Sequence, residues 1–240
     1  MRLDRFLAIH GFGSRKSAKK MVHNGHVMVN GEKTLLNDMQ ISGTDKITVD
    51  GKDVENVPFV CLVLNKPQNY VCSMLDDHYP SCMKLIPDEY QKRVRMVGRL
   101  DADTTGLLIF TDNGVLNSRL ANPKFKVTKT YAVEVNHILK PEMVEEFQKG
   151  NLDIGQGDIA DSAVLVIQDE YHAEVTVHEG KYHEIKRLFG KFGYDVIKLK
   201  RLSLGPVKLG DVEEGKFRKV SEDEYESLLE ATHLIKEDQL

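Results

Sequence analysis

Residues 97–114 read Val-Gly-Arg-Leu-Asp-Ala-Asp-Thr-Thr-Gly-Leu-Leu-Ile-Phe-Thr-Asp-Asn-Gly. The segment places a carboxylate, Asp101, in a short polar loop before an apolar run, residues 106–110, that is typical of a buried strand. A lone aspartate before a strand is most often a turn residue that accepts hydrogen bonds from its own backbone. A carboxylate in such a loop also suits an active site, so this segment alone leaves both interpretations open.

Two further segments have polar side chains on elements that are ordinarily structural. Residues 129–133, Lys-Thr-Tyr-Ala-Val, alternate like a half-buried strand, where a tyrosine usually belongs to the core. Residues 179–189, Glu-Gly-Lys-Tyr-His-Glu-Ile-Lys-Arg-Leu-Phe, predict a helix in which a Lys-Arg pair is usually a solvated face. Each segment by itself therefore favours the structural interpretation.

The three segments follow the order found in one enzyme family. The run Gly-Arg-Leu-Asp-x-x-Thr-Thr-Gly-Leu-Leu-Ile resembles the signature loop of pseudouridine synthases of the RsuA and RluA kind, whose aspartate is the catalytic residue. Residues 129–133 resemble the strand with that family's active-site tyrosine, and residues 179–189 resemble its basic helix. Residues 201–206 resemble its closing strand.

The resemblance implies roles for individual side chains. Asp101 would be the catalytic carboxylate, Tyr131 would stack on the uracil, and Lys186 would be the cationic partner of Asp101. Phosphate contacts, or contacts that hold the target strand open, are expected from Arg99 and Arg187. Arg201 in the closing strand is expected to be a further RNA contact.

The implied reaction accounts for these residue types. Pseudouridine forms when the bond from ribose C1′ to uracil N1 breaks, the base turns, and C1′ joins C5, without oxidation or hydrolysis. Asp101 can serve as a nucleophile or can assist elimination by proton abstraction. Flipping the uridine out of its stack costs roughly a few kcal/mol, which phosphate contacts must offset. No metal or organic cofactor is expected.

The N-terminal segment predicts helix, turn, helix and strand. The first helix would bury Leu3, Phe6 and Leu7. Ser14 is the expected N-cap of a second helix through about Asn24, and a strand follows. Residues 1–48 resemble the S-four-like RNA-binding domain, which implies that the second helix and the strand contact structured RNA. The expected contacts are Arg2, Arg5, Arg15, Lys16, Lys19 and Lys20, although a solvated helix face is the alternative.

We predict an α+β protein with two domains. The RNA-binding domain and a linker, which begins at the Asp50-Gly51 turn, are assigned to residues 1–58, and the catalytic domain to residues 59–240. The second part mixes strands and helices without regular βαβ units, which favours a largely antiparallel mixed sheet flanked by helices. A terminal acidic helix over residues 221–236 is expected to begin with a capping box of Ser221 and Glu224.

Composition and charge exclude several classes of protein. The 240 residues are 41% apolar and 29% charged, and no run predicts a membrane span or signal peptide, so the cytoplasm is expected. The net charge is −4, yet residues 1–26 and residues 183–208 each have a net charge of +5, against −6 for residues 221–240. Local basic patches are what phosphate contacts require. The three cysteines are expected to be reduced thiols.

The predicted function is isomerisation of a specific uridine in ribosomal RNA by a monomeric enzyme. The Tyr182-His183 pair is closer to the RsuA branch, which implies small-subunit (16S) rRNA or an assembling small subunit as the partner. The alternatives are a large-subunit (23S) rRNA enzyme of the same family and a non-catalytic RNA-binding protein. A metal site is a further alternative, favoured only by spacing, and its ligands would be His172, Glu174, His178 and His183.

Overall fold

The computed structural model describes most of the chain: residues 2–234 except Gly11, Ser14, Gly43 and residues 55–58. The chain divides into two units, one formed by residues 1–59 with residues 233–240 and the other by residues 60–232. The expected N-cap Ser14 and the end of the expected linker lie outside the described residues.

The first unit packs two helices on a four-stranded antiparallel sheet of order β2-β1-β3-β4. Its elements are α1 (Leu3–Ile9), α2 (Arg15–His23), β1 (Val27–Val29), β2 (Glu32–Lys33), β3 (Ile47–Val49) and β4 (Lys52–Val54). The apolar faces of both helices meet the inward residues of β1 and β3 in one core, which includes Leu3, Leu7, Val22, Val27 and Ile47. The predicted helix, helix and strand are confirmed.

The expected linker is wrong for residues 52–54. These residues form β4, which pairs antiparallel with β3. Asp50 and Gly51 have φ values of 50° and 79°, the positive values that a two-residue type I′ hairpin turn needs, and Asp-Gly is a preferred sequence for that turn. The predicted turn is therefore present, but it returns the chain into the same sheet.

The second unit is built on a nine-stranded mixed sheet. Its strands and those of a separate β9-β10 hairpin are β5 (Cys61–Lys66), β6 (Arg95–Met96), β7 (Thr105–Thr111), β8 (Lys129–Val135), β9 (Leu152–Asp153), β10 (Ile159–Ala160), β11 (Val164–Ile167), β12 (His172–Val177), β13 (Val196–Leu204), β14 (Val207–Lys208) and β15 (Phe217–Lys219). The helices are α3 (Asp88–Gln91), α4 (Gly114–Ala121), α5 (Glu142–Lys149), α6 (Glu184–Lys191) and α7 (Glu222–Ala231).

The strand order β11-β12-β8-β13-β7-β5-β15 places β8, β13 and β7 side by side at the centre of this sheet. The described strand pairs are antiparallel, apart from β13 with β7, which are parallel. The predicted α+β class with a largely antiparallel mixed sheet is confirmed.

Gly106 sets the spacing between β7 and β13. It lies opposite Arg201 in the parallel pair and has a φ of +99°. A Cβ atom at this position would lie 2.3 Å from the Arg201 carbonyl oxygen, so a larger residue would push the strands apart. The glycine of the signature run thus brings Arg201 close to the strand that follows the Asp101 loop.

The terminal helix α7 begins as predicted and ends earlier. Glu224 N donates to Ser221 Oγ at 3.2 Å, and Ser221 N donates to Glu224 Oε2 at 3.0 Å, which completes the capping box. At the other end, Thr232 Oγ1 donates to the Leu228 carbonyl at 2.8 Å, and His233 has a φ of 54°. The helix therefore stops at Ala231, and residues 235 and 236 of the predicted range lie outside the described residues.

Candidate active site

Asp101 lies in the loop that joins β6 to β7. Thr104 N donates to the Asp101 carbonyl at 3.1 Å, so the loop turns back on itself immediately before β7. The Asp101 side chain remains 33% exposed, because the turn directs it away from the core. The loop thus presents the carboxylate at the end of a central strand of the sheet and in contact with solvent.

A buried lysine, Lys66, holds this loop from behind. Its ammonium group is fully buried at the end of β5 and donates to the carbonyl oxygens of Pro67 at 3.0 Å, Ala102 at 3.3 Å and Thr104 at 2.8 Å. Burial lowers the pKa of Lys66, although nearby acidic groups oppose the shift. Our sequence interpretation missed this residue, whose signal was a lysine at the end of an otherwise apolar strand.

Lys186 on α6 faces two carboxylates. Its Nζ lies 3.2 Å from Asp101 Oδ2, and 2.7 and 2.9 Å from the two oxygens of Asp103. Burial tends to raise the pKa of Asp103, but the hydrogen bond and charge of Lys186 outweigh it and hold that pKa below its usual range. The ion pair between Lys186 and Asp101 is the one that the resemblance implies, whereas the role of Asp103 as a second partner was not predicted.

His183 is the other group beside Asp101. Its Nε2 lies 3.5 Å from Asp101 Oδ2, and its ring stacks on Tyr182 at a centroid distance of 3.8 Å. The backbone at His183 is left-handed, with a φ of 49°, which is uncommon for a residue other than glycine and is often found at functional sites. This conformation turns the chain into α6 and places the imidazole next to the carboxylate.

Asp101 and Tyr131 line the same pocket, which has a volume of about 130 Å³. Tyr131 is 9% exposed on β8, and its ring belongs to the core cluster of the second unit. The apolar walls come from Leu100, Leu120, Ile185, Leu199 and Leu204. Apolar walls and a tyrosine ring beside a carboxylate are suited to holding an aromatic base.

Two ionisable groups line the same pocket with strongly shifted pKa values. Burial, together with the negative charge of Glu179, raises the pKa of Glu184 to about 7. Burial, together with the positive charge of Arg201, lowers the pKa of Lys129 to about 8. Perturbed groups clustered in a cleft are typical of functional sites.

The structure changes the interpretation of two predicted RNA contacts. Arg201 is only 2% exposed, and its Nε donates to the Leu107 carbonyl at 2.7 Å, so it lies inside the pocket and not on the outer surface of the protein. The Arg187 side chain is 13% exposed and braces the loop after β9. Its guanidinium donates to the Ile154, Gly155 and Tyr182 carbonyls and to Asp158. Arg99 is exposed at the pocket, where a phosphate can reach it.

The basic surface of the first unit is organised around a buried aspartate, Asp4. Its carboxylate is fully buried and accepts hydrogen bonds from Arg2 at 2.9 and 3.2 Å. Arg15 and Lys19 lie 3.9 and 3.8 Å from the same carboxylate. Burial alone would raise the pKa of Asp4, but these cations hold it below its usual range. Three of the predicted RNA contacts thus converge on one anion.

The histidines of the metal alternative have separate partners. His172 Nδ1 contacts Asp169 at 2.8 Å, His178 Nδ1 contacts the Lys126 carbonyl at 3.0 Å, and His183 lies beside Asp101. No group of three or more His, Cys, Asp or Glu residues within the described part of the chain could hold a metal ion. The three cysteines are free thiols, as predicted.

Comparison with known proteins identifies the class. The sequence model for RNA pseudouridylate synthase matches residues 60–191, and that for the S4 domain matches residues 1–47. A ribosomal small subunit pseudouridine synthase A of Pasteurella multocida is 35% identical over 229 residues, which are 93% of this chain and 97% of the relative. The protein of the same name in Escherichia coli is 32% identical over 95% of this chain and 100% of its own length.

A solved structure agrees with these sequence matches. The crystal structure of a pseudouridylate synthase matches with a TM-score of 0.69 and 33% identity, covering 95% of this chain and 99% of the other. The chain belongs to the RNA pseudouridylate synthase family. It is an RNA pseudouridine synthase with an N-terminal S4 domain, which confirms the predicted family, fold and activity and removes the non-catalytic alternative. No described helix is long and apolar enough to cross a membrane.

Proposed function

We propose that Asp101 acts at ribose C1′ of a uridine in small-subunit ribosomal RNA. The observation that supports this role is the ion pair between Asp101 and Lys186 at 3.2 Å, on the rim of the pocket that Tyr131 lines. Lys186 places a positive charge beside the carboxylate, and either nucleophilic attack or proton abstraction uses that carboxylate as an anion.

Tyr131 is the proposed stacking surface for the flipped uracil. Tyr131 lies in strand β8 and its ring packs into the core, so the position of the ring is fixed before RNA binds. A fixed aromatic surface can hold the base after the bond to C1′ breaks and while the base turns. The Tyr131 hydroxyl would lie near C5, where a proton must leave.

The proposed RNA contacts are distributed over both units. Arg99 would bind a phosphate at the mouth of the pocket, and Lys16 and Lys20, which are exposed on α2, would bind phosphates at the S4 domain. We assign residues 1–58 to RNA docking and residues 59–240 to catalysis. The contacts with Asp4 allow Arg2, Arg15 and Lys19 to add to this surface at a fixed geometry.

The proposed target follows from the relatives. Relatives of Pasteurella multocida, Haemophilus influenzae and Escherichia coli that are 32–35% identical are ribosomal small subunit pseudouridine synthases, and each is matched over at least 97% of its own length. A large-subunit target is the second candidate, since the signature loop is shared with the large-subunit branches. We also propose a monomer that needs no cofactor and acts in the cytoplasm on ribosomal RNA or an assembling small subunit.

Asp101→Asn tests the catalytic assignment. The substitution keeps the size and most of the hydrogen bonding of the side chain but removes its charge, so folding and RNA binding should persist while turnover is abolished. Asp103→Asn is the matched control, because it removes a charge from the same loop while Lys186 still contacts Asp101; it should retain substantial turnover. Near wild-type activity of Asp101→Asn, or an inactive Asp103→Asn, would show that the assignment is wrong.

Tritium release from uridine C5 tests the target. Small- and large-subunit ribosomal RNA labelled at C5, free of this modification, would each be incubated with the enzyme. Release from the small-subunit RNA alone is expected. Release only from the large-subunit RNA would support the second candidate and leave the assignment of Asp101 unchanged.

A further inference from the structure

Two buried polar atoms in the pocket lack a hydrogen-bond partner among the residues that the structure describes. They are Arg201 Nη2 and Thr104 Oγ1. Arg201 is 2% exposed and Thr104 is 1% exposed, so neither side chain is open to bulk solvent. Buried polar groups in native proteins are nearly always paired, and an unpaired one is destabilising. Two such atoms in one pocket indicate that a ligand completes their hydrogen bonding.

The guanidinium of Arg201 is held in a fixed position beside Tyr131. The two residues are direct neighbours across β8 and β13, and both line the pocket. The hydrogen bond from Arg201 Nε to the Leu107 carbonyl, at 2.7 Å, anchors one side of the guanidinium. Gly106 permits this arrangement, because any Cβ there would collide with the Arg201 backbone. A uracil stacked on Tyr131 would therefore have this guanidinium within reach.

The same part of the pocket has an excess of positive charge. Lys129 precedes Tyr131 by two residues on β8, and its pKa is lowered to about 8 by burial and by the charge of Arg201. The neighbouring acid, Glu184, has a pKa of about 7 and is therefore partly neutral at pH 7. The other nearby acid, Glu179, forms an ion pair with Lys181. A buried cation, Arg201, and a half-buried one, Lys129, that act on each other favour a ligand that carries negative charge.

We propose that Arg201 Nη2 binds a carbonyl oxygen of the target uracil and, together with Lys129, stabilises the negative charge on the base when its bond to C1′ breaks. Thr104 Oγ1 supplies a second hydrogen bond to the base. This role rests on the proposed action of Asp101 at C1′. Asp101 would act on the ribose while the cations act on the departing base, as donors aimed at developing charge do in other enzymes.

The electrons and protons of this step balance within the substrate. The pair of electrons from the C1′–N1 bond remains on the base and is delocalised onto its carbonyl oxygens. After the base turns, C5 supplies a pair of electrons for the new bond to C1′. C5 then loses its proton and N1 gains one, so the charge at the carbonyl oxygens disappears and no oxidant or reductant is needed.

Arg201→Gln tests the charge directly. Its amide can still donate to the Leu107 carbonyl, but the positive charge is lost. We expect the single-turnover rate on saturating RNA to fall about 100-fold or more, while the dissociation constant of the RNA is unchanged. Arg201→Lys keeps the charge, so its single-turnover rate should fall less than that of Arg201→Gln. The rate of Thr104→Val should also fall less than that of Arg201→Gln. Arg187→Gln is the matched control, since that arginine also bonds backbone carbonyls but lies outside the pocket lining.

A transcript with 5-fluorouridine in place of uridine separates charge stabilisation from binding. Fluorine withdraws electrons and stabilises the anionic base, so the defect of Arg201→Gln in breaking the C1′–N1 bond should shrink at least about tenfold. The readout is loss of N-linked 5-fluorouridine in nucleoside digests. Arg187→Gln should change the rate of C1′–N1 bond breaking by the same factor with both transcripts.

Each outcome decides the role of Arg201. A larger dissociation constant for the RNA with an unchanged single-turnover rate would show that Arg201 contributes to RNA binding only. Equal slowing of the reaction with both transcripts would overturn charge stabilisation. If Arg201→Gln does not fold in a thermal melt, Lys129→Met makes the same comparison. If the wild-type enzyme converts only the large-subunit transcript, the proposed small-subunit target is wrong. The Arg201 variants are then compared with the wild type on the large-subunit transcript.

Discussion

Asp103 holds the ammonium group of Lys186 with both carboxylate oxygens, at 2.7 and 2.9 Å. Lys186 is therefore shared, since Asp101 contacts the same nitrogen at 3.2 Å. The positive charge of Lys186 offsets the repulsion between the two carboxylates that contact it. The Asp103 side chain is the more exposed of the two, at 67% against 33%, so its charge is better solvated.

Lys186→Met should reduce turnover by roughly 100-fold or more, because both carboxylates then share the site without a cation. Adding Asp103→Asn to this variant should restore part of the activity, since one of the repelling charges is gone. Single-turnover rates of the wild type, the two single variants and the double variant measure this coupling. Additive effects of the two substitutions would contradict the shared-cation arrangement.

Lys66→Met should destabilise the catalytic loop, although Lys66 itself is not among the residues that line the pocket. Three backbone carbonyls lose the hydrogen bond from Lys66, and Ala102 O keeps the one from Asn69 N, so we expect a loss of about 1–3 kcal/mol in the free energy of unfolding. Turnover should fall in parallel, because Ala102 directly follows Asp101 and Thr104 N donates to the Asp101 carbonyl. Urea unfolding and single-turnover rates provide the two measurements. Full activity in a destabilised Lys66→Met would show that the loop keeps its conformation without this lysine.

Glu184→Gln should stabilise the protein more at pH 7.5 than at pH 5. The pKa of Glu184 is raised from 4.5 to about 7, so between these values the folded protein binds this proton more tightly than the unfolded chain. Stability contributed by this group therefore falls as the pH rises through that window. The increase in the free energy of unfolding caused by Glu184→Gln should approach about 3 kcal/mol at pH 7.5 and be small at pH 5. Urea unfolding of both proteins at each pH measures it; an equal difference at both would contradict the shift.

Replacing Lys16 and Lys20 with alanine should weaken RNA binding and flatten its salt dependence. Each lost phosphate contact removes roughly one unit of slope in a plot of log affinity against log salt concentration. Both lysines are exposed on α2, so stability should not change. Lys52→Ala, an exposed lysine on β4, is the control for lost charge. An unchanged salt slope would indicate that α2 only faces solvent.

Replacing Arg15 and Lys19 should have a second effect. These residues lie within 4 Å of buried Asp4, so their loss should also destabilise the first unit. A single variant that replaced all four residues, Arg15, Lys16, Lys19 and Lys20, would therefore mix RNA binding with folding. Thermal melts of the two pairs, compared with their salt slopes, separate the contributions.

Isomerisation should proceed in excess EDTA with no added cofactor. The proposed chemistry needs only a carboxylate, a stacking surface and protein cations, all of which line the pocket. The measurement is single-turnover activity in monovalent salt that folds the RNA. Activity that is lost in EDTA and restored only by a divalent ion would overturn this expectation.

The order of segments in the sequence was enough to predict the family, the fold class and the Asp101 loop. Local patterns have local causes: the alternation of β8 and β12, the Asp50-Gly51 turn and the Ser221 capping box each depend on residues close in the chain. Such features can be inferred without knowing the tertiary neighbours.

Only the tertiary structure decided what the cations do. Lys66, Lys186 and Arg201 are respectively 36, 85 and 94 residues from the groups they bind in the loop or in β7, and these contacts depend on the register of the sheet. Arginines such as Arg187 and Arg201 are common phosphate ligands. In the folded protein, however, Arg187 binds a loop and Arg201 lies inside the pocket. The sequence shows that these side chains are basic, but their burial and their partners, which depend on contacts between distant segments, determine what each of them binds.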